Sequence, residues 1–236
     1  MSEFMPMVFG KAFDKIATEY LTGIGVFLAP LFHIGAAIIL YCILRYQNNK
    51  YRKYLNLWFI INYLWLVFYV GFYMLYRFYK EMGIWSLAFW AFVPILLINI
   101  LVGWIREIKD SKTDWDFSNV PKWRLLIIPI IIYGFWFPTF IYGKGFVLSA
   151  KDLLFSAFGL MPCPTAMVVL GLLTIKYPVV NKKLYNALTL FAVWIGTAQL
   201  AIGYVPDYPL AIVGYYSVGL IISNYLKEKR NSPLSS

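Results

Sequence analysis

The chain has 236 residues, 61% of them hydrophobic and only 14% charged, with a formal net charge of +10. A soluble domain carries about 25% charged residues, so this composition excludes a wetted globular surface, a disordered chain and a soluble enzyme on one anchor. It describes an integral membrane protein, in which each crossing helix takes about 20 apolar residues.

Before the first apolar run, Phe9, Phe13, Ile16 and Tyr20 recur at helical spacing, while Lys11, Asp14, Lys15 and Glu19 fall off that stripe. Residues 1–20 therefore predict an amphipathic helix lying in the membrane interface, with a docking helix for a partner as the alternative. No basic stretch is followed by an apolar core and a cleavage site, so a signal peptide is not expected.

Seven apolar runs follow, at residues 21–44, 55–76, 84–105, 125–142, 153–175, 184–204 and 210–226. Each is long enough to cross about 30 Å of hydrocarbon as a helix, some with aromatic ends in the interface. Alternating-polarity strands of the barrel kind are not seen. The expectation is an all-α bundle of seven transmembrane helices, one domain over residues 1–236, with residues 227–236 as a flexible cytoplasmic tail.

The first run places Gly25, Ala29, His33 and Ala37 at steps of four, a small-residue face that lets another helix approach and turns His33 inward. Pro30 removes the hydrogen bond to the region of Val26. His33 has two readings: a neutral ring bonded to a freed carbonyl or neighbouring side chain, or a ligand or proton-handling group near mid-membrane. Asn62 and Asn99, in the second and third runs, are placed to bond each other as interhelical glue. Asp110, Asp114 and Asp116 share their loop with Lys109 and Lys112 and read as a solvated loop rather than a metal site.

The fifth run contains GLMPCPTAMVVLGLL. Ser149 and Asp152 form a capping-box pattern that starts a helix near Ala150. Pro162 and Pro164 then break it, leaving an irregular corner at Cys163 and a second helix of about 13 residues, ~20 Å long. Irregular backbone at that depth survives only in protein or beside a wet cavity. The N–H groups at Thr165 would then face the bundle interior, as in the discontinuous helices that hold solutes in transporters. The sixth run carries Ala192, Gly196, Gln199 and Gly203 on one face, a packing seam with a polar residue along it.

Basic residues give the orientation. The loops after runs one, three and five and the C-terminal segment hold four, five, three and three of them, fifteen of the 21, and the other side holds six. Positive residues favour the cytoplasm, so the N-terminus is expected outside and the C-terminus inside. Aromatic residues, 20% of the chain, crowd the ends of the runs as an interface belt.

Intramembrane chemistry is sparse. The two cysteines, Cys42 and Cys163, lie in separate runs, and with one histidine they are too few for a closed zinc site. The last run has no lysine for a retinal Schiff base, and a bis-histidine haem site is impossible. Met161, Cys163 and Met167 offer soft sulfur atoms, one reading of which is a Cu(I) site and the other gap-filling in an apolar core. No cofactor is expected. The dispersed basic residues argue against nucleic acid, which leaves membrane lipids, a second copy or another membrane protein as partners.

Gly159–Leu160–Met161–Pro162–Cys163–Pro164–Thr165, then Trp194 and Val205–Pro206–Asp207, resemble a prokaryotic membrane-protein family, domain of unknown function six-zero-six-four. That family carries Gly-x-Pro-Cys-Pro-Thr before an apolar helix, then a Trp-containing span and a Val-Pro-acidic turn. Met161 is an extra residue here, and the likeness covers residues 155–226 best. It implies a small all-helical multi-pass protein of the cell membrane and provides no activity. The function expected from the residues is binding or transport of a small solute in an intramembrane pocket at His33, Pro162, Cys163, Pro164, Thr165 and Gln199. The alternative is a non-catalytic accessory subunit of a membrane complex. An enzyme using Cys163 or His33 is the weakest reading, because burial works against a thiolate.

Overall fold

The computed structural model describes residues 12, 15–46, 49–84, 90–117, 120–141, 144–147 and 149–231. Phe9 and Phe13 of the expected N-terminal stripe, and Lys11 and Asp14 away from it, lie outside the described residues, as do residues 232–236 of the expected tail. The described chain is all-α apart from one short ribbon. Among the described residues, four helical stretches are long and apolar enough to cross a membrane: Gly25–Tyr46, Tyr51–Met82, Lys182–Ala201 and Val205–Asn231.

Helix α1 covers residues 15–22 and ends at Gly23, whose N–H donates to the Glu19 carbonyl. Ile16 and Tyr20 are buried, as the stripe predicts. Ion pairs Lys15–Glu81 (2.7 Å) and Glu19–Arg77 (2.5 Å) bind α1 across the bundle. Helix α2, Gly25–Tyr46, buries Gly25, Ala29, Phe32, His33 and Ala36. Ala37 is exposed instead of continuing the face, because 3.6 residues per turn carries a strict four-residue step around the helix. Its outer face shows Phe27, Leu31, Ile38 and Tyr41 to the surroundings.

Helix α3, Asn49–Trp65, continues through a nine-residue π-helical stretch, Leu66–Met74, into α4, Leu75–Met82. Gly71 lies in that stretch because a Cβ there would meet Pro94 Cα at 3.3 Å, so α5, Phe92–Asp110, packs close against it. Helix α5 closes on Ser111 at φ +48°. The loop beyond it is tied rather than free. Thr113 N–H donates to Glu107 Oε1 (2.9 Å), Asp114 N–H to the Val179 carbonyl (3.1 Å), and Lys176 pairs with Asp114 (2.9 Å). Of the loop aspartates, Asp114 is committed to Lys176 and Asp110 faces Lys112 at 3.5 Å.

The fourth run departs most from expectation. A 3-10 turn, Lys122–Ile127, leads into α6, Ile128–Phe135, only eight residues long. Pro138 has no N–H for the Gly134 carbonyl and bars Phe137 from helical backbone, so the helix predicted to residue 142 stops early. The chain turns instead into an antiparallel ribbon, β1 Thr139–Ile141 with β2 Gly145–Val147, pairing Phe140 with Phe146.

The fifth run breaks, but upstream of the prolines. Helix α7, Asp152–Phe155, is followed by irregular residues 156–161, and α8, Pro162–Lys176, begins at Pro162 itself. Pro162–Cys163–Pro164 is therefore the first helical turn and not the corner, since proline is well suited to positions whose N–H has no intrahelical partner. Helix α8 is buried almost all round and forms the centre of the bundle. Asn181 caps α9, Lys182–Ala201, its Oδ1 accepting from the N–H groups of Lys183 (3.1 Å) and Leu184 (3.2 Å). A 3-10 turn, Val205–Asp207, leads into α10, Tyr208–Asn231. Helix α10 runs on through residues 227–231, so that part of the expected tail is helical. Helices α9 and α10 pack backbone to backbone, for a Cβ on Gly196 would sit 2.7 Å from Ala211 Cα.

Candidate functional site

A cavity of about 200 Å³ lies where the irregular stretches meet. Helix α1 contributes Ala17, Thr18 and Leu21, and the segment after α6 contributes Phe137 to Phe140. The far walls are Phe155 to Ala157, then Met161, Cys163 and Pro164 at the start of α8, with Tyr204 and Asp207 from the turn before α10. Phe140 meets Tyr204 edge-on at 5.4 Å.

Asp207 is the one charged side chain among these walls. It is buried, its carboxyl sits against the Cys163 thiol, and its Oδ1 has no hydrogen-bond partner. The turn that carries it is held by its own N–H to the Tyr204 carbonyl (3.2 Å) and by the Tyr133 hydroxyl donating to the Pro206 carbonyl (3.1 Å). A buried carboxylate oxygen without a donor is costly unless something else meets it.

The irregular segment has the opposite character, because its polar groups are met by side chains. Gly159, at φ +78°, donates its N–H to Thr165 Oγ1 (2.9 Å), and Asn62 Nδ2 donates to its carbonyl (2.7 Å). Thr165 donates in turn to the Met161 carbonyl (2.7 Å). The Tyr20 hydroxyl donates to the Leu160 carbonyl (3.1 Å) and accepts from Trp65 Nε1 (2.6 Å). Asn62 therefore serves this segment and not Asn99, whose Nδ2 donates to Ile95 of its own helix (3.0 Å).

His33 belongs to the same support. Its Nδ1 lies 2.9 Å from the Ala29 carbonyl, not that of Val26. Its Nε2 lies 2.8 Å from the Ser156 hydroxyl and 2.9 Å from the Phe135 carbonyl, joining α2, the end of α6 and the segment after α7. His33 reaches the cavity only through Ser156, which lines it.

Of the residues singled out from sequence, Cys163 and Pro164 line the cavity. Pro162, Thr165, His33 and Gln199 stand outside its walls, Gln199 buried with Oε1 unpartnered. The start of α8 offers few donors: Pro162 and Pro164 have no N–H, and the Thr165 N–H already reaches the Met161 carbonyl at 3.4 Å. Met161 and Cys163 share the cavity, while Met167 is buried against α6 at Gly134. Among the described residues no group of three or more His, Cys, Asp or Glu is placed to hold a metal ion. Asp207, met in the sequence only as the acid of the Val205–Pro206–Asp207 turn, is the cavity residue not expected there; its signals were that turn and its place between two long apolar runs. Comparison of the chain with protein-family models, with curated proteins and with solved structures finds no match in any of the three.

Proposed function

We propose that this chain is a seven-span protein of the cell membrane that binds, and passes, a small solute through the cavity at Cys163 and Asp207. The Asp207 carboxyl in the wall of an otherwise largely apolar cavity, buried beside Cys163 with its Oδ1 unpartnered, carries the reading, since it favours a solute bringing a hydrogen-bond donor. Counting α6 and α8 as short crossings gives seven, with the N-terminus outside and the fifteen basic residues on the cytoplasmic side. In that orientation the irregular outer halves of the fourth and fifth crossings enclose the cavity and α1 lies over it, which is where non-helical backbone is tolerated. Membership of the domain of unknown function six-zero-six-four family is part of the proposal, its motif coinciding with the segment and cavity wall from Gly159 to Thr165.

Two measurements test it. In liposomes, a Cys42→Ala protein should react at Cys163 with a small methanethiosulfonate reagent added from the N-terminal side. Flux of small amines and neutral hydrogen-bond donors should fall at least about tenfold in Asp207→Asn, the order of one lost charged hydrogen bond. Background flux for every solute, with Cys163 unreactive, would return the chain to the accessory-subunit reading.

A further inference from the structure

A second hollow, of about 410 Å³, runs between α5 and α9. Its floor is where the helices approach most closely, a Cβ on Gly103 falling 2.9 Å from Leu184 Cα. Arg106 and Lys183 stand at one end, with Asn186 beside them and Asn99 further along. Neither cation makes an ion pair among the described residues, whereas the adjacent Lys182 is bound to Glu228 at 3.1 Å. Lys183 also lies in the first turn of α9, where the helix dipole is positive and there is no acidic residue to offset it. Two positive charges with no ion-pair partner among the described residues thus meet on one exposed spot, beside the start of α9.

From that spot the hollow continues along apolar Val102, Leu96 and Leu190. Beyond the lining residues, Phe92 of α5 and Trp194 of α9 meet with ring centroids 5.3 Å apart. From Arg106 to Leu96 the lining runs about 15 Å along α5, the depth of one leaflet of a hydrocarbon core about 30 Å thick. The long apolar floor argues for a ligand with a tail, and the charged end for one with an anionic head. We infer that this groove binds one anionic phospholipid of the inner leaflet, its phosphate between Arg106 and Lys183 and an acyl chain along Val102, Leu96 and Leu190. The site is separate from the Asp207 cavity and stands whether or not that cavity carries a solute.

Native mass spectrometry of the detergent-purified chain, titrated with phosphatidylglycerol or phosphatidylcholine, tests this. The wild type should retain phosphatidylglycerol about tenfold more strongly, since each basic residue near a headgroup contributes to anionic-lipid attraction. R106Q/K183Q should lose that preference, and Leu190→Trp, which fills the groove, should weaken retention with the charges intact. K227Q/K229Q, at the end of α10, should leave the preference unchanged. Equal retention of both lipids, an unchanged preference in R106Q/K183Q, or an equal loss in K227Q/K229Q would overturn the site. Inorganic phosphate should not raise the unfolding temperature, and protection by it equal to that by phosphatidylglycerol would overturn the lipid as occupant. Circular dichroism of each variant checks that the helices remain.

Discussion

The α9–α10 seam and the junction at residues 156–161 both bring backbones into contact through glycine, yet they differ in kind. At the seam, Gly196 and Gly214 sit against Ala211 and Ala192 in regular helices whose backbone hydrogen bonds are internal. At the junction, Gly159 presses on Phe32 in backbone that has left the helix, and its N–H and C=O are met by Thr165 and Asn62. The glycine contacts of the seam rest on shape, with Thr197–Tyr215 (2.7 Å) and Lys182–Glu228 (3.1 Å) bonded at its exposed edges, whereas the junction needs a borrowed set of polar side chains to meet its backbone. Asn62, Thr165 and Tyr20 are thus the means by which the non-helical backbone of residues 159–161 is kept inside the bundle.

Substitutions separate the two regions. Gly159→Ala should be the most damaging, because a side chain at φ +78° is strained and its Cβ would lie 2.7 Å from that of Phe32. A loss of about 3 kcal/mol is expected in detergent unfolding, together with altered Cys163 reactivity. Gly196→Ala should cost up to about 3 kcal/mol through overpacking on Ala211, but leave Cys163 reactivity unchanged. A shared change in reactivity would show that the seam and the junction act as one unit.

Asn62→Leu should cost about 1–3 kcal/mol by stranding the Gly159 carbonyl, while Asn99→Leu, which removes only a bond within its own helix, should cost little by the same unfolding measurement. Equal losses would mean that the amide of Asn62 does not serve the junction. The smallest effect is expected at the loop. Partial burial pushes the Asp114 carboxyl up, but the Lys176 hydrogen bond and the Asp116 backbone N–H outweigh it and hold it below the ordinary aspartate value. Its contribution is thus present above the ordinary value and lost as pH falls through the folded one. Because Asp114 is half exposed, Asp114→Asn should remove under about 1 kcal/mol and flatten the acid limb of a pH–stability curve.

The apolar runs, the short helix before the first of them and a break in the fifth were legible because each is a local property of spacing and proline. Where that break falls was not, since Pro162 and Pro164 are compatible both with a corner and with a first helical turn. Proline geometry limits the backbone without choosing between them. The early end of α6 had a readable cause in Pro138, but hydrophobicity continues past it to residue 142 and masked the turn.

Composition and hydrophobic spacing by themselves determined that this chain buries apolar helices, because transfer of such side chains from water depends on their number and not on their neighbours. Only the tertiary structure decided what the rare polar residues do. It set Asn62 and Thr165 to completing the backbone of residues 156–161 and His33 to the Ser156 hydroxyl, and left Asp207 beside Cys163 with one buried oxygen unpartnered. A hydrogen bond is directional and short, so its partner is chosen by which distant segments the fold brings within about 3 Å.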